Sequence, residues 1–177
     1  YARLFDQAVV VGSPATDLLA ETAARLGIWL SVGVDERDDR DSTIYNTLLH
    51  FAPDGTLAAR HRKLMPTGGE RLVWGTGDGS TLQVVDTGFG RLGGLICWEN
   101  YMPLARAALY AQGIDVYLAP TWDNSEVWVP TLRHIAREGR TYVIGVTSCI
   151  SAADLPADLP GRDSLYGDGG DWLSRGN

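Results

Sequence analysis

The segment Phe89 to Leu104, FGRLGGLICWENYMPL, constrains this chain more than any other. Its apolar run, Leu92 to Ile96, reads as a buried strand. The run stops at Cys97, and a polar turn with a proline follows over Trp98 to Pro103. Pro103 to Gln112 reads as a short helix ending at Gly113. Ile114 to Pro120 is then a buried strand, Trp128 to Gly139 a helix and Thr141 to Ser148 another buried strand. A thiol at the end of a buried strand, facing a turn rich in backbone N–H groups, suits a nucleophile. The thiolate attacks, and the N–H groups can hold the anion that attack creates.

The first half of the chain supplies a helix and two hairpins. Pro14 to Leu26 has helical spacing, with Leu18, Leu19, Ala23 and Leu26 on one side. Ser13 is the expected N-cap and Gly27 the expected stop. Ile28 to Val34 reads as a strand and Asp35 to Ser42 as a charged loop. Thr43 to Phe51 and Thr56 to Arg62 form a hairpin around Pro53-Asp54-Gly55. After a long loop, Leu64 to Ser80, a second hairpin joins Thr81–Asp86 to Arg91–Ile96. Ser151 to Asn177 is rich in Gly, Pro and Asp and reads as a long loop. Hairpins mixed with strand–helix–strand units predict an α+β fold: one domain over residues 1–177, with a mixed sheet covered by helices on one face.

Composition narrows the function. A net charge of -7 argues against nucleic acid or an anionic membrane as the main partner. No apolar run approaches the ~20 residues of a membrane helix, and the first residues do not read as a signal peptide. Cys97 and Cys149 are far apart and are expected to be reduced thiols of a cytoplasmic protein. His50, His61 and His134 lack metal-ligand spacing, so a metal site is not expected.

Few positions can carry chemistry. Cys97 is either a nucleophile or a small buried hydrophobe; Cys149 is read as structural. Among 15 basic residues the one lysine is Lys63, within HRKLMPTGGE. It would act as a fixed cation beside a thiol or a developing anion. Glu70, on the same loop, could instead pair with Arg71 on the surface, and Glu99 could simply hold the turn after Cys97. Gly75-Thr76-Gly77-Asp78-Gly79 lacks the GxxxxGK[ST] pattern, so these are turn glycines and not a phosphate loop. Trp122 and Asp123 end a strand and are candidate pocket walls. His134, on a helix, is structural by default.

Taken together, HRKLMPTGGERLVWGTGDGS, GRLGGLICWENYMPLARAALYAQG, VYLAPTWD and LRHIAREGRTYVIG resemble the nitrilase branch of the carbon–nitrogen hydrolase superfamily. The resemblance spans Gly33 to Gly145, with the motifs in family order. It implies an α-β-β-α sandwich and a Cys–Lys–Glu triad that needs no metal or organic cofactor. By position, Cys97 matches the nucleophile, Lys63 the catalytic lysine and Glu70 the second glutamate near it. Trp98, Thr121, Trp122 and His134 are the expected substrate-binding residues, with the Trp98 N–H facing the anion. The family's general-base glutamate lies in an FPE-type motif upstream of the lysine. Neither Glu21 nor Glu36 matches it, so the resemblance puts that motif before Tyr1. It likewise puts a further core strand after Asn177, making this the central portion of the sandwich.

The activity implied is hydrolysis of a small-molecule nitrile to a carboxylic acid and ammonia, through a thioimidate and a thioester. Amidase and cyanide hydratase or dihydratase activities of the same superfamily are the alternatives. A non-catalytic fragment lacking the upstream glutamate is a third reading. Self-association, as a dimer or a spiral, is expected from the same resemblance.

Overall fold

The computed structural model describes residues 1–162 and 172–175. A short helix α1 (Ala2–Gln7) precedes helix α2 (Pro14–Leu26), which begins and ends where the sequence predicts. Gly27 stops α2 at φ 62°, a left-handed conformation that carries no side-chain penalty in glycine. Ser13 does not cap the helix with its side chain. Thr16 closes the turn instead: its hydroxyl accepts from the Gly12 N–H and donates to the Ser13 carbonyl. The buried stripe is also narrower than expected. Ala23 is buried with Leu19 and Ala20 beside it, whereas Leu18 and Leu26 face solvent.

Strands β1 (Leu30–Arg37), β2 (Ile44–Phe51) and β3 (Leu57–Arg62) form an antiparallel sheet in that order. β1 continues past Val34 to Arg37, so Glu36 lies on a strand and not in a charged loop. Its buried carboxylate accepts from Thr47 Oγ1 at 2.8 Å and from Arg62 Nε at 2.9 Å. Partners on β2 and β3 let a charged residue enter the core. α2 covers the outer face of this sheet, over Leu49 and Phe51.

Strands β4 (Val85–Asp86), β5 (Arg91–Gly94), β6 (Val116–Thr121) and β7 (Tyr142–Thr147) form a second sheet in that order. β4 and β5 are antiparallel, while β5, β6 and β7 run parallel. Helices α3 (Pro103–Ala111) and α4 (Trp128–Gly139) are the crossovers. They bury Leu109, Trp128 and Ile135 against Leu95, Tyr117 and Ala119. β4 is shorter than the predicted Thr81–Asp86 strand. The Gln112 amide donates to the Leu82 carbonyl at 2.9 Å and accepts from the Val84 N–H at 3.1 Å. A side chain thus takes the backbone groups a strand partner would take.

The one mixed sheet expected from the residue pattern is therefore two sheets, each with helices on its outer face. This is the α-β-β-α layering that the resemblance implies. β7 is not buried as predicted: Tyr142, Ile144 and Val146 face solvent, and only Val143 packs on the helix side. It is a marginal strand, with no pairing on its outer side among the described residues. The expected loop after Ile150 holds a 3-10 turn, Ala152–Asp154, and strand β9 (Trp172–Arg175), which pairs with β8 (Cys149–Ser151). The rest of that expected loop, 163–171 and 176–177, lies outside the described residues.

Candidate active site

Cys97 stands where β5 breaks off. The Leu95 N–H still bonds the Leu118 carbonyl, 3.1 Å away, so the chain leaves the sheet only at Ile96 and Cys97. Gly94 permits this approach, since a Cβ there would lie 2.4 Å from the Leu118 oxygen. Cys97 opens a 3-10 turn, Cys97–Tyr101, at φ 54°. That left-handed conformation costs a residue with a side chain about 1–3 kcal/mol. The fully buried Asn100 holds it in place. Its amide donates to the Leu95 carbonyl at 3.0 Å and the Cys97 carbonyl at 2.7 Å, and its oxygen accepts from Tyr117 Oη at 2.8 Å. Burial pushes the Tyr117 phenol far above its ordinary value, so it remains a donor.

Lys63 follows β3 on the other sheet and is 1 % exposed. Its N–H bonds the Asn46 carbonyl and its carbonyl accepts from the Gly77 N–H, at 2.8 and 2.9 Å. The glycine run thus packs on the lysine backbone: a Cβ on Gly77 would sit 2.3 Å from the Arg62 oxygen. Lys63 Nζ donates to Glu70 Oε2 at 2.6 Å, and the same oxygen accepts from the Thr67 N–H. Glu70 is therefore paired with Lys63. Arg71 turns instead to the Pro66 carbonyl.

Two connected hollows meet at Cys97. The inner one, about 360 Å³, lies between the sheets. Gly33, Asn46 and Lys63 border it from one sheet, and Cys97, Thr121 and Val146 from the other. The outer one, about 610 Å³, is walled by Trp98, Tyr101, Trp122 and Val127. Cys97, Glu70 and Trp122 border both. The Tyr101 ring stands edge-on to Trp98 and Trp128, and burial, together with the Asp123 carboxylate beside it, raises its phenol.

Of the residues named from sequence, Cys97, Lys63, Glu70, Trp98, Thr121 and Trp122 border one or both hollows. His134 does not. Its side chain is 66 % exposed, faces Glu138 across one turn of α4 and borders neither hollow. Helical position alone did not tell which way it would face. Tyr101, Asn46 and Gly33 also line the hollows, without a sequence pattern that singles them out. Tyr101 lay in view within the turn after Cys97, but Asn46 and Gly33 reach the cavity only because two sheets face each other. Among the described residues, no group of three or more His, Cys, Asp or Glu could hold a metal ion.

A thiol at a strained elbow, with a buried ammonium and its carboxylate on the same cavity, provides for nucleophilic attack and for holding the anion that follows. The carbon-nitrogen hydrolase family model matches residues 1–162, and the chain belongs to that family, in its nitrilase branch. It is 50 % identical over 155 residues to an aliphatic nitrilase of Sinorhizobium fredii (strain HH103), covering 88 % of this chain and 49 % of that protein. It is 46 % identical over 168 residues to nitrilase 2 of Arabidopsis thaliana, covering 95 % and 48 %. The chain spans about half the length of these curated relatives. In fold it is similar to Saccharomyces cerevisiae Nit3, a member of branch 10 of the nitrilase superfamily, with a TM-score of 0.72 at 24 % identity, covering 83 % of this chain and 57 % of that one.

Proposed function

We propose that the protein containing this chain is a nitrilase, a hydrolase of carbon–nitrogen bonds that converts an organic nitrile to a carboxylic acid and ammonia. The meeting of Cys97, Lys63 and Glu70 on one cavity carries this reading. Cys97 Sγ attacks the nitrile carbon while its proton passes, by way of the family's general-base glutamate, to the nitrile nitrogen. The product is a thioimidate. Lys63 and the Trp98 N–H hold the negative charge that builds on nitrogen. Glu70 aims the Lys63 ammonium into the cavity, which its 2.6 Å contact supports. One water adds, ammonia leaves and a thioester remains. A second water releases the acid and restores the thiol. One nitrile and two waters thus give one acid and one ammonia.

The general base belongs to the FPE-type motif of the family. Glu36 is no substitute, since its carboxylate is committed to Arg62 and Thr47. Thr121, Trp122 and Tyr101 wall the substrate. One domain over 1–177, a cytoplasmic setting and self-association as a dimer or spiral belong to the same proposal. No helix among the described residues is long and apolar enough to cross a membrane.

The test is ammonia release from a nitrile panel by the full-length protein. Cys97→Ala is expected to lower the rate by about 10³-fold or more; undiminished release would sink the reading. Relatives from Lupinus angustifolius and Nicotiana tabacum bear the name bifunctional nitrilase/nitrile hydratase. Product analysis therefore has a second use: amide instead of acid means that the first water is added but ammonia is not expelled.

A further inference from the structure

Lys63 and Cys97 come from different sheets, and something must set one against the other. Glu99 does this. Its side chain is fully buried and borders neither hollow, so it does not touch substrate. One oxygen accepts from the Leu64 N–H at 2.7 Å, the other from the Ile96 N–H at 2.6 Å. Both lie 3.0 Å from His61 Nε2, and His61 Nδ1 is hydrogen-bonded to Thr81 Oγ1. Leu64 immediately follows Lys63, and Ile96 immediately precedes Cys97. One carboxylate therefore grips the backbone next to each reacting residue, across the gap between the sheets.

We infer that Glu99 is a positioning residue that fixes Lys63 relative to Cys97; this rests on the nitrilase reading above. The chemistry favours a carboxylate. Ile96, Leu64 and His61 all present N–H donors, and only a group with two acceptor oxygens takes all three. Glutamine offers one oxygen, and its NH₂ would meet an N–H. Aspartate keeps both oxygens but retracts them by a methylene. Holding the turn alone would need only the Ile96 bond. The bond to Leu64, on the other sheet, gives the residue a role in catalysis.

Glu99→Gln and Glu99→Asp in the full-length protein test this, with kcat and KM measured per folded molecule. Misplacing reacting groups by about 1 Å can cost about 10²-fold in rate. The expected result for Glu99→Gln is kcat down about 50-fold or more with KM within about 3-fold. Glu99→Asp is expected to recover about 10-fold of that loss. Wild-type kcat in both variants, or a rise in KM that accounts for the loss, would overturn the inference. If the glutamine variant does not fold, the aspartate variant decides alone: reduced kcat at constant KM supports coupling, and unchanged kcat refutes it. Failure of the wild type to hydrolyse any nitrile would refute the nitrilase reading and leave this one to a second readout. That readout is iodoacetamide alkylation of Cys97, followed by mass spectrometry. Slower alkylation in the variants supports the positioning role, and equal rates overturn it.

Discussion

The two sheets meet at one cavity but are held by different physics. The antiparallel sheet buries ionisable groups: Glu36, His50, His61 and Lys63 are all within 4 % of full burial. Each has a polar partner, and Arg62 serves both Glu36 and Asp38 while lying over the Tyr45 ring. The mixed sheet buries Leu95, Tyr117, Ala119 and Trp128, and its elbow is held mainly by neutral hydrogen bonds through Asn100, with the Glu99 carboxylate as the one ionised group that ties it to the lysine side. Charges in a low-dielectric interior are costly to uncover, whereas neutral bonds lose less when broken. The lysine side of the cavity should therefore respond more strongly to charge and pH, and the cysteine side, Glu99 apart, more to shape.

Arg62→Met separates the two cases most sharply. It leaves two buried carboxylates without their main cation and is expected to cost about 3–5 kcal/mol, read by urea unfolding of the full-length protein. Asn100→Ala strips partners from Leu95, Cys97 and Tyr117 and is expected to cost about 2–3 kcal/mol. If Asn100→Ala costs more than Arg62→Met, charge is not the dominant hold and the contrast fails. The third effect is pH-dependent. Burial, with His61 nearby, holds the His50 imidazole down at about 4 against an ordinary 6.5. The unfolded chain therefore takes up a proton between about pH 6.5 and 4 that the folded chain refuses. Stability is full above that window and falls as the pH drops through it, by up to about 3 kcal/mol. His50→Asn should flatten that acid arm, and an unchanged slope between pH 7 and 4.5 would assign it to other groups.

How much of this was legible depended on the kind of information each residue carries. The crossovers around α3 and α4 could be read because apolar runs and helix stops are local. The cavity's chemistry came through resemblance: position alone left Cys97 and Cys149 alike, each a thiol after an apolar run. What separates them is the turn. Asn100 and Glu99 lock Cys97 at the cavity, whereas Cys149 lies exposed on β8. The strand pattern does not separate one sheet from two, because periodicity records that a strand is half-buried, not what buries it. β7 shows the converse, since its apolar run gives no sign that one face lacks a neighbour. The pattern around Glu36 reads as loop because its partners, Thr47 and Arg62, are distant in sequence, and so is Leu64, whose N–H Glu99 gathers across the cavity, whereas Ile96 is only three residues away.

The left-handed backbone at Cys97 bears on how such a chain can evolve. Glycine is at ease at that position, so most inherited changes toward a sturdier protein would favour losing the thiol. On the nitrilase reading proposed above, selection for turnover is what keeps a side chain there. In a lineage freed from its substrate this elbow should be among the first places to drift, with the surrounding sheets left intact.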